Sequence, residues 1–269
     1  MIVKAFRFLL CSVLFCGFQA AFAAQPTSVF LEDLTWTELK AQIAGGKTTI
    51  LVPIGGTEQS GPYMALGKHN MRAHLLAQRI AEKLGNALVA PVVAYVPEGS
   101  INPPSTHMRF PGTITVSDEV FEKTLESAAR SFKLHGFRDI VFLGDHGGYK
   151  ADLKISADRL NHEWAAGDTR AHAMPEYYRA TQEEYVQFLK SRGYAPSEIG
   201  THAGLADTSL MLALDPSLVR AEALGHAGKP SAEQGEYGDP RRASAELGQP
   251  GVDFIVEKSV AAIRKAAAR

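Results

Sequence analysis

Apolar residues along this chain fall into two alternating patterns: short unbroken runs of aliphatic and β-branched residues, and stripes recurring every three or four positions. The runs at 48–54, 87–96 and 139–143 lack the alternation of a half-exposed strand, so they predict buried strands. Met71, Leu75, Leu76, Ile80 and Leu84 recur at helical spacing from Asn70 and stop at Gly85. A second helix is expected over 117–135, with Ser117 as N-cap, Asp118 and Glu119 in its first turn and Gly136 after its end. Others are expected at 150–164, 181–191, 205–214 and 252–267, and a short one begins behind Thr35. Strands alternating with helices imply an α/β fold, a three-layer αβα sandwich with a mainly parallel sheet. Residues 225–251, rich in Gly, Pro, Glu and Ser, read as a long surface excursion before the last helix.

The first residues do not belong to that pattern. Lys4 and Arg7 precede an apolar run over 8–18, and Ala21-Phe22-Ala23 has the form of a cleavage site, so residues 1–23 are expected to be a signal peptide. Residues 24–269 would then form a single domain, periplasmic or secreted. The run is short for a membrane span, and no membrane association is expected after cleavage. Both cysteines, Cys11 and Cys16, leave with this segment, so any metal must be held by histidines and carboxylates. Losing two cations and no anion moves the formal charge from −1 to about −3, and no basic cluster points to nucleic acid.

Candidate chemistry sits where apolar runs break into glycines. Ile50-Leu-Val-Pro-Ile-Gly-Gly-Thr-Glu58-Gln59-Ser60-Gly61-Pro62 and Leu143-Gly-Asp145-His146-Gly147-Gly148 are two such strand exits, and in an open α/β sheet these loops line the ligand crevice. His69 follows closely behind Glu58. His107 lies on a proline-rich excursion between a strand and a helix, and His202 precedes Asp207 by a little over one helical turn. His74, His135 and His162 fall on expected helices and read as structural or solvated. A metal-dependent hydrolase needs hard or borderline ligands, an open coordination position and a proton-transfer group. Glu58, His69, His146 and Asp207 are the candidate ligands, with His202 or Asp145 for the proton.

These segments resemble the creatininase family of metal-dependent amidohydrolases over nearly the whole mature chain. The family's first block, Pro-x-Gly-x-x-Glu-Gln-His-Gly-Pro-His-Leu-Pro-Leu-x-x-Asp, corresponds to residues 53–69. Its Phe-Pro-Gly-Thr block is residues 110–113, preceded by His107. Its Asn-Gly-His-Gly-Gly-Asn is Gly144 to Tyr149, and its His-Ala-Gly-x-x-Glu-Thr-Ser is residues 202–209, with Asp207 for the glutamate. The resemblance implies that Glu58 and His146 are metal ligands and His202 the proton-transfer group. It also exposes departures: Ser60 replaces a ligand histidine, His69 a bridging aspartate, and Gly148 the glutamate of members active on creatinine. A neutral imidazole offers one lone pair and cannot bridge two cations as a carboxylate does.

The expectation is therefore an exported metal-dependent amidohydrolase cleaving a C–N bond of a small amide, cyclic amide or formamide other than creatinine. Its cofactor would be zinc, with manganese and iron as the other candidates, in one or two ions per chain. Ser60, Tyr63, His107, Gly147, Gly148 and Tyr149 are the expected substrate contacts, the two glycines through backbone N–H groups. The resemblance implies a homo-oligomer. The alternative is a non-catalytic periplasmic protein on the same fold, binding a small ligand or a metal.

Overall fold

The structure is a computed structural model and describes residues 28–268; the expected signal segment lies outside them. Four parallel strands, β1 (Thr49–Ile54), β2 (Ala87–Val89), β3 (Asp139–Gly144) and β4 (Arg170–Ala173), form one sheet in the order β2-β1-β3-β4. Every residue of β1 and β3 is buried, which is why their sequences read as unbroken apolar runs. Alternate residues point to opposite faces. Ile50, Val52, Ile54, Ile140 and Phe142 meet α3 (Asp118–Leu134) and α4 (Lys150–Glu163) on one side. Leu51, Val141 and Leu143 meet α2 (Lys68–Leu84), α5 (Pro175–Gln182), α6 (Glu184–Ser191), α8 (Leu205–Leu214) and α10 (Ala245–Ala267) on the other. The three-layer α/β architecture is thus as the sequence pattern implies. The short helices α1 (Trp36–Ala44), α7 (Pro196–Ile199) and α9 (Ala221–Gly225) complete the set, α1 behind a Thr35–Glu38 capping box.

Four boundaries differ from expectation, each for a local reason. The strand expected over 87–96 ends at Val89, because Pro91 has no N–H for the ladder; pairing resumes at Val93, whose N–H donates to Pro53 O at 3.0 Å. The helix expected over 181–191 is two helices meeting at Glu183, where ψ is −77°. The last helix starts at Ala245, capped by the Ser244 hydroxyl, so the end of the expected surface excursion is helical and carries Pro250 inside. The short, half-exposed edge strand β4 has no apolar run to announce it.

After β1 the chain passes through α2 to β2 on one side, then returns to β3 and β4 on the other. The carboxyl ends of β1 and β3 are therefore neighbours, with Ile54 paired to Gly144, and the two glycine-bearing exits leave from one point. Such a reversal of strand order opens a crevice for ligand.

Gly248 of α10 packs directly on α8: a Cβ there would stand 1.9 Å from the Ser209 carbonyl oxygen. We expect Gly248→Ala to cost about 3 kcal/mol of unfolding free energy in urea titrations, through forced separation of the two helices. A change below about 0.5 kcal/mol would show that this contact does not set the packing.

Candidate metal centre

Glu58 is fully buried one turn beyond β1, its N–H donating to Leu66 O at 3.2 Å. Its Oε2 has no hydrogen-bond partner among the described residues. His107 Nε2 lies 3.2 Å from that oxygen and His146 Nε2 3.8 Å. Glu58, His107 and His146 each offer a ligand atom within 4.8 Å of the others, a donor set of one carboxylate and two imidazoles. Tetrahedral coordination at metal–ligand distances of about 2 Å needs donors spaced about 3.3 Å apart, so the set fits a single divalent cation after small movements. The orphaned Oε2 is the atom such a cation would satisfy.

Two of the expected ligands do not join this set. His69, at the start of α2, has Nε2 2.7 Å from Glu58 Oε1 and Nδ1 2.5 Å from Asp145 Oδ2, which leaves no lone pair for a metal. Asp207 is held by Lys68 Nζ and by Arg72, each at 2.8 Å. Lys68 and Arg72 stand four residues apart on α2, so both cations reach the same side of the helix. Burial pushes the Asp207 carboxyl up, but Lys68 and Arg72 outweigh it and hold the group well below its ordinary value. The Asp145 carboxylate, the other expected proton-transfer group, is 1 % exposed and closed in by Arg72, His69 and the Tyr177 hydroxyl at 2.9 Å. Burial opposes its charge, and Arg72 and His69 restore it.

His202 stands beside His107, their ring centroids 4.3 Å apart. Its Nε2 lies 2.9 Å from the Gln59 carbonyl oxygen, a bond in which the ring donates, and its Nδ1 faces Glu58 Oε1 at 3.6 Å. Ala203, with φ of +51°, turns the chain there, and an antiparallel bridge between His202 and Tyr237 braces it. Burial, reinforced by Lys68, lowers the His202 pKa to about 3; burial and His69 lower His146 to about 4. Both rings are neutral at pH 7, as a base and a ligand must be. His107 is lowered too, first by burial.

The three histidines His107, His146 and His202 line a cavity of about 680 Å³ together with Arg109, Phe110, Tyr178 and Tyr237. Of the expected substrate contacts, His107 and Gly147 line it. The others are placed differently. Tyr149 is fully buried, its hydroxyl accepting from the N–H groups of Asp145 and His146 at 3.1 and 3.0 Å and donating toward Gly55 O at 2.7 Å, so it shapes the turn that presents His146. Ser60 is buried outside the lining, and Tyr63 packs into a satellite cluster with Met64, Met211 and Val219. Gly148 N–H donates to His146 Nδ1 at 3.2 Å and is not free for an oxyanion.

Sequence reading missed Glu98, a buried carboxylate whose Oε2 lies 3.8 Å from His146 Nδ1. Burial first and the Glu58 charge second push its pKa up to about 9. A lone glutamate in a loop of prolines and glycines carries no periodicity or motif to mark it.

A Glu-His-His set that could hold a metal lies under a cavity at the reversal point of a parallel sheet, an arrangement suited to a metal-dependent hydrolase, and the comparisons point to that class. The family described as creatinine amidohydrolase matches residues 32–263, so the chain belongs to the creatininase family. Creatinine amidohydrolase of Pseudomonas putida is 29 % identical over 195 residues, covering 71 % of this chain and 74 % of that protein. The 3-dehydro-scyllo-inosose hydrolase of Thermotoga maritima is 25 % identical over 209 residues, covering 74 % of this chain and 60 % of that one. The mycofactocin precursor peptide peptidase of Mycolicibacterium smegmatis is 28 % identical over 196 residues, covering 70 % and 66 %. A crystal structure of creatininase superposes with a TM-score of 0.75 at 26 % identity, covering 91 % of this chain and all of that one. Solved relatives include a manganese creatininase and one of Zn-Zn type.

Because Asp207 is held below its ordinary value of about 4, the stability it contributes is complete above that pH and is lost as pH falls further. We expect Asp207→Asn to cost about 3 kcal/mol at pH 7, by stranding Lys68 and half of Arg72's contacts, and to flatten the acid limb of the stability–pH curve. An unchanged acid limb in urea titrations from pH 7 to pH 3 would contradict this assignment.

Proposed function

We propose that this protein is a mononuclear metal-dependent amidohydrolase that cleaves a C–N bond in a small amide, cyclic amide or formamide. The observation that carries the reading is the Glu58, His107 and His146 donor set beneath the cavity, with His202 Nδ1 beside it. Glu58 Oε2, His107 Nε2 and His146 Nε2 would hold the cation. Oxygen and imidazole donors suit zinc best, with manganese and iron also compatible. When bound, the cation supplies Lewis acidity and brings the pKa of a water toward neutrality.

The chain's own residues do the rest. Gln59 O fixes the His202 tautomer by accepting from Nε2, so the Nδ1 lone pair faces the centre. Nδ1 takes the proton from the attacking water and returns it to the leaving nitrogen. His69 links Glu58 to Asp145 and so occupies the side of Glu58 where a second cation would need a carboxylate. This supports one ion per chain. The His146 ring lies 3.0 Å from the position a Cβ at residue 148 would take, and the absence of a glutamate there supports a substrate other than creatinine.

Export rests on the residues 1–23 pattern, and cell fractionation tests it. Self-association is supported by the exposed Tyr95 and Val120 flanking an apolar groove with Val93 and Phe132.

A panel of small amides, cyclic amides and formamides assayed with purified protein tests the reaction. We expect His202→Ala to lower kcat about 10²–10⁴-fold while leaving metal content intact, and Glu58→Ala or His146→Ala to lose both. Equal turnover by wild type and His202→Ala would remove His202 from the mechanism. Turnover that survives loss of Glu58 would remove the metal centre.

A further inference from the structure

Glu98 is 4 % exposed and lies against the Glu58 carboxyl, and neither of its oxygens meets a hydrogen-bond donor among the described residues. Burial and the Glu58 charge keep the group protonated at neutral pH, and a buried carboxyl whose oxygens meet no donor calls for a state in which one of them accepts. The backbone around it is pinned: its N–H donates to Thr115 Oγ1 at 3.0 Å, and its carbonyl accepts from Thr106 Oγ1 at 2.7 Å. Gly56 makes room for the side chain, because a Cβ at that position would stand 2.5 Å from Glu98 Oε1. Glu98 is not part of the cavity wall.

The His146 ring lies between two carboxylates. Its Nε2 faces Glu58 Oε2 at 3.8 Å and its Nδ1 faces Glu98 Oε2 at 3.8 Å. Gly148 N–H donates to Nδ1, an arrangement that places the ring proton on Nε2, where the cation would bind. We infer that Glu98 is a positioning residue for His146: when Nε2 gives its lone pair to the cation, the ring proton resides on Nδ1 and Glu98 Oε2 accepts it. The proton count of the ring is unchanged: its seat moves from Nε2 to Nδ1, and the Gly148 N–H bond to Nδ1 is exchanged for the Nδ1–H bond to Glu98. Closing 3.8 Å to hydrogen-bond length takes an approach of about 1 Å between His146 Nδ1 and Glu98 Oε2. A carboxylate behind a ligating imidazole fixes ring orientation and tautomer and raises ligand basicity. Gly56 is part of the same device, since any side chain there displaces the acceptor.

This inference rests on the mononuclear metal reading above. The test is zinc affinity, by chelator competition, for wild type, Glu98→Ala, Glu98→Gln and Gly56→Ala, with ¹⁵N imidazole NMR and X-ray absorption on the zinc-loaded proteins. Circular dichroism and thermal melts of the metal-free proteins establish that each variant is folded. We expect Glu98→Ala and Gly56→Ala to weaken zinc binding about 10- to 100-fold and to lose the protected His146 Nδ1–H resonance. Glu98→Gln, whose amide oxygen still accepts, should retain the resonance and most of the affinity. Wild-type affinity and an unchanged Nδ1–H in Glu98→Ala would overturn the positioning role alone. Loss of an oxygen from the zinc shell in Glu98→Ala would overturn it in favour of direct ligation. A folded wild type that binds no zinc would overturn the metal reading and this inference with it.

Discussion

Glu58 carries a charge at a point with no water, and the surrounding structure is arranged to make that tolerable. A buried carboxylate is unstable unless hydrogen-bonded or paired. One oxygen is met by His69, with Lys68 Nζ 3.9 Å away, and burial is outweighed so that the carboxyl stays ionised well below its ordinary range. The other oxygen is left to His107 and His146, neither of which is charged at neutral pH. One side of the glutamate is thus consumed by structure, and the other faces two neutral imidazoles that with it could hold a cation.

That division extends outward through α2. Lys68, His69 and Arg72 present two cations and an imidazole to Glu58, Asp145 and Asp207, which come from the exit of β1, the exit of β3 and the first turn of α8. The cluster ties the exits of β1 and β3 and the start of α8 to a single helix. Such pairs contribute little net stability, because desolvation nearly cancels attraction, yet breaking one leaves an uncompensated charge. Their effect is to fix where Glu58, His146 and His202 stand relative to one another. The sheet reversal brings the loops together; the ion cluster sets their spacing.

Much of the fold was legible because β1 and β3 are buried on both faces and α2 and α3 run into Gly85 and Gly136. β4 was not, since Arg170-Ala-His-Ala has no apolar run and its pairing is decided by α4 and the sheet edge. Within the site, Glu58, His146 and His202 were legible from strand exits and family blocks. His107 was expected to touch substrate, because loop length says nothing of how far an excursion folds back. His69 and Asp207 were expected among the ligands, and the signal against this was present: Lys68 and Arg72, one turn apart at the head of α2, needed anions. Glu98 had no such signal, as its counterpart Gly56 is 42 residues away and the relation exists only in three dimensions.

The central claim is that one cation binds at Glu58, His107 and His146, and that His69 closes the other side. Anomalous diffraction at the zinc edge, on crystals of protein reconstituted with zinc, tests it most directly. The account predicts a single peak per chain about 2 Å from Glu58 Oε2, His107 Nε2 and His146 Nε2, with His69 still between Glu58 and Asp145. A peak ligated by His69, or two peaks sharing Glu58, would contradict it.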